Sequence, residues 1–280
     1  MNGIDIIDIK EKNIKGAYVF DGFPSVGLVG SIVANYLVSF LNLEQIAIVD
    51  SVYFPSISLV RDGVPLSPVR VYGGSLGTKG QEKVVVFISE FQPAPDTLKP
   101  LAITMMDWVE DHKCKMVISP EGLLSKEDTE RMEALAKSMA EEKEVAEYVV
   151  ANSPSKAPGE GVIVLGVGST PAARQTMKQI DVKTLENGVV AGFAGVLLNE
   201  GVARDFDVIT LLAEAHAEYP DARAAAAIMT VIDRMLLHVE LDLKPLLEEA
   251  ALIEDTLKQI QKRATTEDDA SKRKSSYMYS

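Results

Sequence analysis

Val84-Val85-Val86-Phe87-Ile88 has no position that suits water. Five consecutive β-branched or aromatic residues make a strand, and a strand with no polar face is covered on both sides. A sheet containing it therefore needs a layer above and a layer below. Similar runs recur along the chain: Tyr18-Val19-Phe20, Gln45–Val49, Lys115–Ser119, Val162–Val167 and Asp207–Leu212. Between them lie segments of helical period. Ser25–Leu43 repeats Val26, Val29, Val33, Tyr36, Leu37 and Phe40 at three- and four-residue spacing. Leu98–His112 does the same with Leu101, Met105, Trp108 and Val109, and a further helix is predicted from Asp221 to Val239. This alternation predicts an α/β fold, a three-layer sandwich around a mostly parallel central sheet.

The punctuation refines the picture. Asp62-Gly63 between Leu59–Arg61 and Val64 signals a tight hairpin, with Val69–Tyr72 as the returning strand. Gly73–Glu82 reads as a polar, glycine-rich loop. Ser25 is placed to cap the first helix. Ser125-Lys126-Glu127-Asp128 opens a charged helix running to about Lys143, Tyr148–Val150 is a short strand, and Asn152–Gly161 is a surface loop. The glycines Gly22, Gly27 and Gly30 miss the dinucleotide spacing and lack the lysine of a phosphate loop. Close approach of helix to strand explains them better. The same holds for Gly166 and Gly168 before Ser169-Thr170-Pro171, and for Gly188, Gly192, Gly195 and Gly201 around the apolar segment Val189–Leu198.

Chemistry is thinly represented. Sheets of this type bind ligands beyond the carboxyl ends of their strands, and Asp21, Asp50, Glu90, Glu121 and Glu214 fall near such ends. Acidic residues there also cap helices and solvate loops. His112, His216 and His238 are widely spaced and form no metal-binding pattern. No nucleophile elbow is present, and Cys114 beside an apolar strand reads as packing. No metal or cofactor is expected. A formal net charge of −13 disfavours nucleic acid. The single cysteine suits a reducing compartment, and no apolar run is long enough for a membrane span. A cytoplasmic protein is expected.

Asp21-Gly22-Phe23-Pro24-Ser25-Val26-Gly27-Leu28-Val29-Gly30-Ser31 resembles the opening of the proteasome-assembly-chaperone family, where a G-F-x-x-x-G-x-x-G segment joins the first strand to the first helix. Gly195-Val196-Leu197-Leu198-Asn199-Glu200 is similar to the family's second glycine-rich segment, and the resemblance spans Ile14 to Leu237. It implies a nucleoside-phosphorylase-like scaffold without catalytic residues. It also implies, as in archaeal members, a homo-oligomer that binds the proteasome core particle.

The chain ends Met278-Tyr279-Ser280, which resembles the hydrophobic-Tyr-X tail of proteasome-binding proteins. A terminal carboxylate is a fixed anion, a tyrosine ring adds rigid area and one hydroxyl, and methionine is an adaptable plug. The resemblance implies docking in pockets between outer-ring subunits, with a pocket lysine on the carboxylate. Three segments are therefore expected: an α/β core over residues 1–240, a C-terminal helix over 241–264 and a flexible proteasome-binding tail over 265–280. Within the second, Leu243, Leu246, Ala250, Ile253, Leu257, Ile260 and Ala264 trace a heptad seam about 33 Å long. That seam suits either self-association or packing on its own domain. The function expected is a non-enzymatic assembly chaperone or ATP-independent activator. The alternative is a small-molecule enzyme on the same scaffold, nucleoside-processing or ATP-dependent and ligase-like.

Overall fold

A computed structural model of the chain describes residues 3–76, 82–124, 161–217, 219–239, 242 and 244–246. The helix read from Ser125, the strand at Tyr148–Val150, the loop from Asn152 and the segment 265–280 lie outside the described residues, as does all but a fragment of 241–264.

Eleven strands are described: β1 (Ile4–Asp8), β2 (Tyr18–Gly22), β3 (Glu44–Ser51), β4 (Leu59–Arg61), β5 (Val64–Leu66), β6 (Val69–Leu76), β7 (Glu82–Ser89), β8 (Met116–Leu124), β9 (Val164–Gly168), β10 (Lys183–Thr184) and β11 (Val208–Ala215). The helices are α1 (Val29–Phe40), α2 (Pro95–Asp111), α3 (Pro171–Gln179), α4 (Gly192–Arg204) and α5 (Ala222–Ile232). Nine strands form one sheet in the order β1-β3-β6-β7-β2-β8-β11-β9-β10, and β4 pairs with β5 alone. Helices cover both faces. α1 and α5 lie over one apolar cluster, which includes Phe20, Val86 and Ile118. α2 and α4 lie over the other, with Phe87, Val85 and Val117. The run from Val84 to Ile88 is buried throughout, as its composition demands.

The parallel expectation holds at the centre, where β7, β2, β8 and β11 run together. It fails toward β1 and between β9 and β11, although the edge strand β10 pairs parallel with β9. β1, β3, β6 and β7 pair antiparallel in succession, and so do β9 and β11. Parallel neighbours need a long crossover, whereas only residues 77–81 separate β6 from β7, so that pair must be antiparallel. The loop expected from Gly73 is strand as far as Leu76. Gly73 and Gly74 serve packing there: a Cβ on either would come within 2.7 Å of Ile46 or 2.6 Å of Leu43. β1 was not foreseen; its Ile4 is buried and its Asp5 exposed, the alternation of an edge strand.

Candidate functional site

The carboxyl ends of the parallel strands form one edge of the sheet, and the family-like glycine segment crosses it. β2 ends at Gly22, the chain turns through Val26–Leu28, and α1 starts at Val29. Gly27 and Leu28 both adopt left-handed backbone, at φ 61° and 51°. Each glycine here marks a close approach. A Cβ on Gly22 would sit 2.3 Å from the Ala34 methyl of α1, and one on Gly30 would sit 2.8 Å from the Pro120 carbonyl of β8. A Cβ on Gly27 would sit 2.8 Å from the carbonyl oxygen of His216, and the Gly27 carbonyl accepts from the Asp221 amide. Gly122 completes the fit, since a Cβ there would lie 2.0 Å from the Val26 carbonyl oxygen. Close packing of a strand–helix connection onto β8 and the end of β11 is thus what the spacing encodes.

Two of the five strand-end acids come together beneath this connection. Asp21 Oδ1 accepts from the Phe23 amide at 3.0 Å, and Oδ2 accepts from Ser119 Oγ at 2.8 Å. Burial lifts the Asp21 carboxyl from 3.8 to about 6, with those two hydrogen bonds opposing the rise. Glu121 is pushed well above the ordinary carboxylate range, first by burial and then by the charge of Asp21, while a hydrogen bond with Ser25 pulls the other way. Ser25 Oγ also accepts from the Gly30 amide at 3.2 Å. Ser25 is therefore not the cap expected of it: α1 begins at Val29 with Leu28 before it, and the Ser25 hydroxyl reaches the Gly30 amide across the kinked turn.

The other acids have separate settings. Glu90 pairs with Arg70, whose side chain is completely enclosed, and lies 3.5 Å from Arg61. Arg70 also donates to Tyr72 Oη and to the Ser67 carbonyl. Asp50 is exposed opposite Asp5, and Glu214 is half-buried on β11. Sequence reasoning missed Arg70 and Ser119. Arg70 had a signal, because an arginine inside the apolar run Val69-Arg70-Val71 is buried and needs an acidic partner.

Other candidates fall into structural roles. Thr170 caps α3 by accepting from the Ala173 amide, and Gly166 and Gly168 face Met177 and the backbone of Arg174. His112 stacks on Trp108 and lies 3.6 Å from Asp8. Cys114 is buried, and burial raises its thiol to about 12, which suits packing and not nucleophilic chemistry. Among the described residues no group of three or more His, Cys, Asp or Glu side chains is placed to hold a metal, and no helix is long and apolar enough to cross a membrane. A shallow cleft of about 510 Å³ lies at the opposite edge of the sheet, between Lys115, Thr170 and Asp207, away from the buried acids. Met278, Tyr279 and Ser280 lie outside the described residues.

A few residues of the segment expected as a C-terminal helix are described. Residues 244–246 are helical, Leu246 is fully buried in the α1–α5 cluster, and Tyr36 Oη donates to the Asp242 carbonyl at 2.9 Å. At its first turn, therefore, this segment packs on its own domain.

Known proteins are similar to this chain. An uncharacterized protein of Methanocaldococcus jannaschii is 24% identical over 242 residues, covering 86% of this chain and 84% of its own. The crystal structure of Pyrococcus furiosus PbaA, an archaeal homolog of proteasome-assembly chaperone, matches with a TM-score of 0.70 at 25% identity, over 95% of this chain and 99% of that one. P. furiosus PbaB, an archaeal proteasome activator, has the same fold, with a TM-score of 0.68 at 21% identity over 93% and 100% of the two chains. The pattern of the PAC2 family matches residues 19–261, most of the chain, and the protein belongs to that family.

Proposed function

We propose that the chain is a non-enzymatic proteasome-binding protein of the cytoplasm, a core-particle assembly chaperone or an ATP-independent activator. Its body forms a homo-oligomeric platform, and its C-terminal Met278-Tyr279-Ser280 docks in pockets of the core particle's outer ring. The observation that carries this reading is the likeness to PbaA over 95% of the chain, joined to a terminus of hydrophobic-Tyr-X form. Several tails on one platform would bind a ring of pockets together, so that weak single contacts add up to useful avidity. The packing of the strand-end edge supports a non-catalytic role. In doubly wound enzymes that edge is where substrate sits, whereas here Val26 packs on Gly122 and Gly30 of α1 on the Pro120 carbonyl.

The test is a pull-down with core particles, comparing the intact chain with one lacking residues 278–280. Loss of binding with unchanged thermal stability is the expected result. Equal recovery of both chains would reject tail docking.

One observation favours a second reading, a small-molecule enzyme on the nucleoside-phosphorylase-like scaffold. Asp21 and Glu121 are two buried carboxyls at the ligand edge with raised proton affinity, and such groups are candidates for acid–base work. A rise in melting temperature with nucleosides or ATP, abolished by Glu121→Gln, would support it.

A further inference from the structure

Between β3 and β6 the chain leaves the sheet as an arm, residues 52–68, bearing the β4–β5 hairpin. At its C-terminal end the Ser67 carbonyl accepts from Arg70 and the Pro68 carbonyl from the Glu90 amide, and two side chains add to this root. Phe54 meets the edge of Phe91 with ring centres 5.1 Å apart, and Arg61 reaches Glu90. Beyond its root the arm is bare: Val52 is 83% exposed, Tyr53 60%, Ile57 45%, Val60 67% and Val64 56%. Val60 pairs with Pro65 and Arg61 with Val64, so Val60 and Val64 occupy opposite faces of the hairpin. The Val60 face is exposed and uncharged, whereas the Val64 face also carries Arg61. A two-stranded hairpin in water is marginal by itself, and an exposed apolar patch of this kind marks a contact surface.

Charge selects the partner. From Ser51 to Pro68 the only charged side chains are Arg61 and Asp62, which cancel, on a chain with a formal net charge of −13. A basic partner is drawn to the acidic body and not to a neutral arm. A partner as acidic as the body is repelled except where charge thins out, and another copy of this chain is such a partner. Its own arm offers the same neutral, apolar surface, as a twofold contact requires. Pro65 brings no N–H to the edge of β5, which blunts strand addition and leaves the side-chain faces to make the contact.

We propose that the arm is a self-association surface on which two copies pack arm against arm through the uncharged hairpin face that carries Val60 and Pro65. The inference deepens the homo-oligomer of the proposed function and is independent of tail docking.

Light scattering on the full chain at micromolar concentration tests it, comparing wild type with the double variant Val60→Glu, Val64→Glu. Both side chains are exposed, so the single copy keeps its fold, which circular dichroism checks. The expected result is a multimer whose mass falls at least twofold in the variant. Val202→Glu, an exposed control on α4, should keep the wild-type mass, as should deletion of residues 278–280. A Val60→Cys chain, with Cys114 buried and inert, should form a covalent pair under mild oxidation. The proposal is overturned by a wild-type mass equal to one chain, by an unchanged mass in the double variant, or by equal dissociation in Val202→Glu. It is also overturned if the double variant keeps its mass but loses the core particle, which would assign the arm to that partner.

Discussion

Ser119 Oγ donates a 2.8 Å hydrogen bond to Asp21 Oδ2, tying β8 to β2 where both strands reach the packed edge of the sheet. The same Asp21 accepts the Phe23 amide, so one buried carboxyl fixes both the neighbouring strand and the first step of the glycine connection.

Stability should fall as pH rises through this group. The folded Asp21 carboxyl titrates at about 6 against an ordinary 3.8. The folded state thus holds its proton more tightly than the unfolded chain. That stabilisation is complete below the unfolded value and is lost as pH climbs through about 6. The displacement corresponds to about 3 kcal/mol. Urea unfolding at pH 5 and pH 8 should show the loss, and Asp21→Asn should flatten the difference.

Burial, and then the neighbouring charge of Asp21, hold the Glu121 carboxyl well above the usual carboxylate range. Where that carboxyl is protonated, Glu121→Gln should change stability by less than about 1 kcal/mol, because a neutral acid is replaced by a neutral amide of similar shape. At higher pH the variant should be the more stable chain, since wild type must ionise a buried carboxyl beside Asp21. Melting temperatures at pH 7 and pH 9 measure the crossover.

Gly122→Ala should be among the most damaging small substitutions. The added methyl meets a backbone oxygen at 2.0 Å, and backbone cannot step aside as a side chain does. A cost of about 3 kcal/mol or more is expected. Gly63→Ala is the contrast: φ is 77° but no atom lies within 4 Å, so only backbone strain of about 1–2 kcal/mol applies.

Arg70→Met should cost about 3–5 kcal/mol, because it leaves Glu90 half-buried with only the exposed Arg61 nearby. The arm should loosen at its root. Faster tryptic cleavage after Arg61, relative to wild type, reports this directly.

Arg204 joins α4 to α2 by contacts of 2.7 Å to Asp107 and 2.6 Å to Glu110, with Glu200 at 3.2 Å on its own helix. These hydrogen bonds raise the proton affinity of the guanidinium against the opposing effect of burial. The partners Asp107 and Glu110 are partly solvated, so Arg204→Ala should cost about 1–2 kcal/mol, and the cost should shrink in high salt. Denaturation midpoints at low and high ionic strength test both points.

What the sequence made legible was local. The composition of Val84–Ile88 demanded cover on both faces, Asp62-Gly63 demanded a tight turn, and the spacing of Gly22, Gly27 and Gly30 demanded close contact; each appears in the fold. What it hid was non-local. Asp21 and Glu121 are a hundred residues apart and meet only because β2 and β8 are neighbours, which no periodicity announces. The antiparallel flank followed from connection lengths obscured by reading Gly73 and Gly74 as loop. β1 was hidden by brevity, and the buried Arg70 by the assumption that charge means surface.

Leu246 is wholly enclosed between α1 and α5, and Asp242 holds the hydroxyl of Tyr36. Shortening the protein from position 243 would therefore remove a keystone from the body along with the appendage, opening a hole worth about 2–5 kcal/mol. A chain cut there would lose its assembly for the wrong reason. A boundary placed after Leu246 keeps this side chain in its enclosure, so that loss of assembly then reports on the residues beyond it.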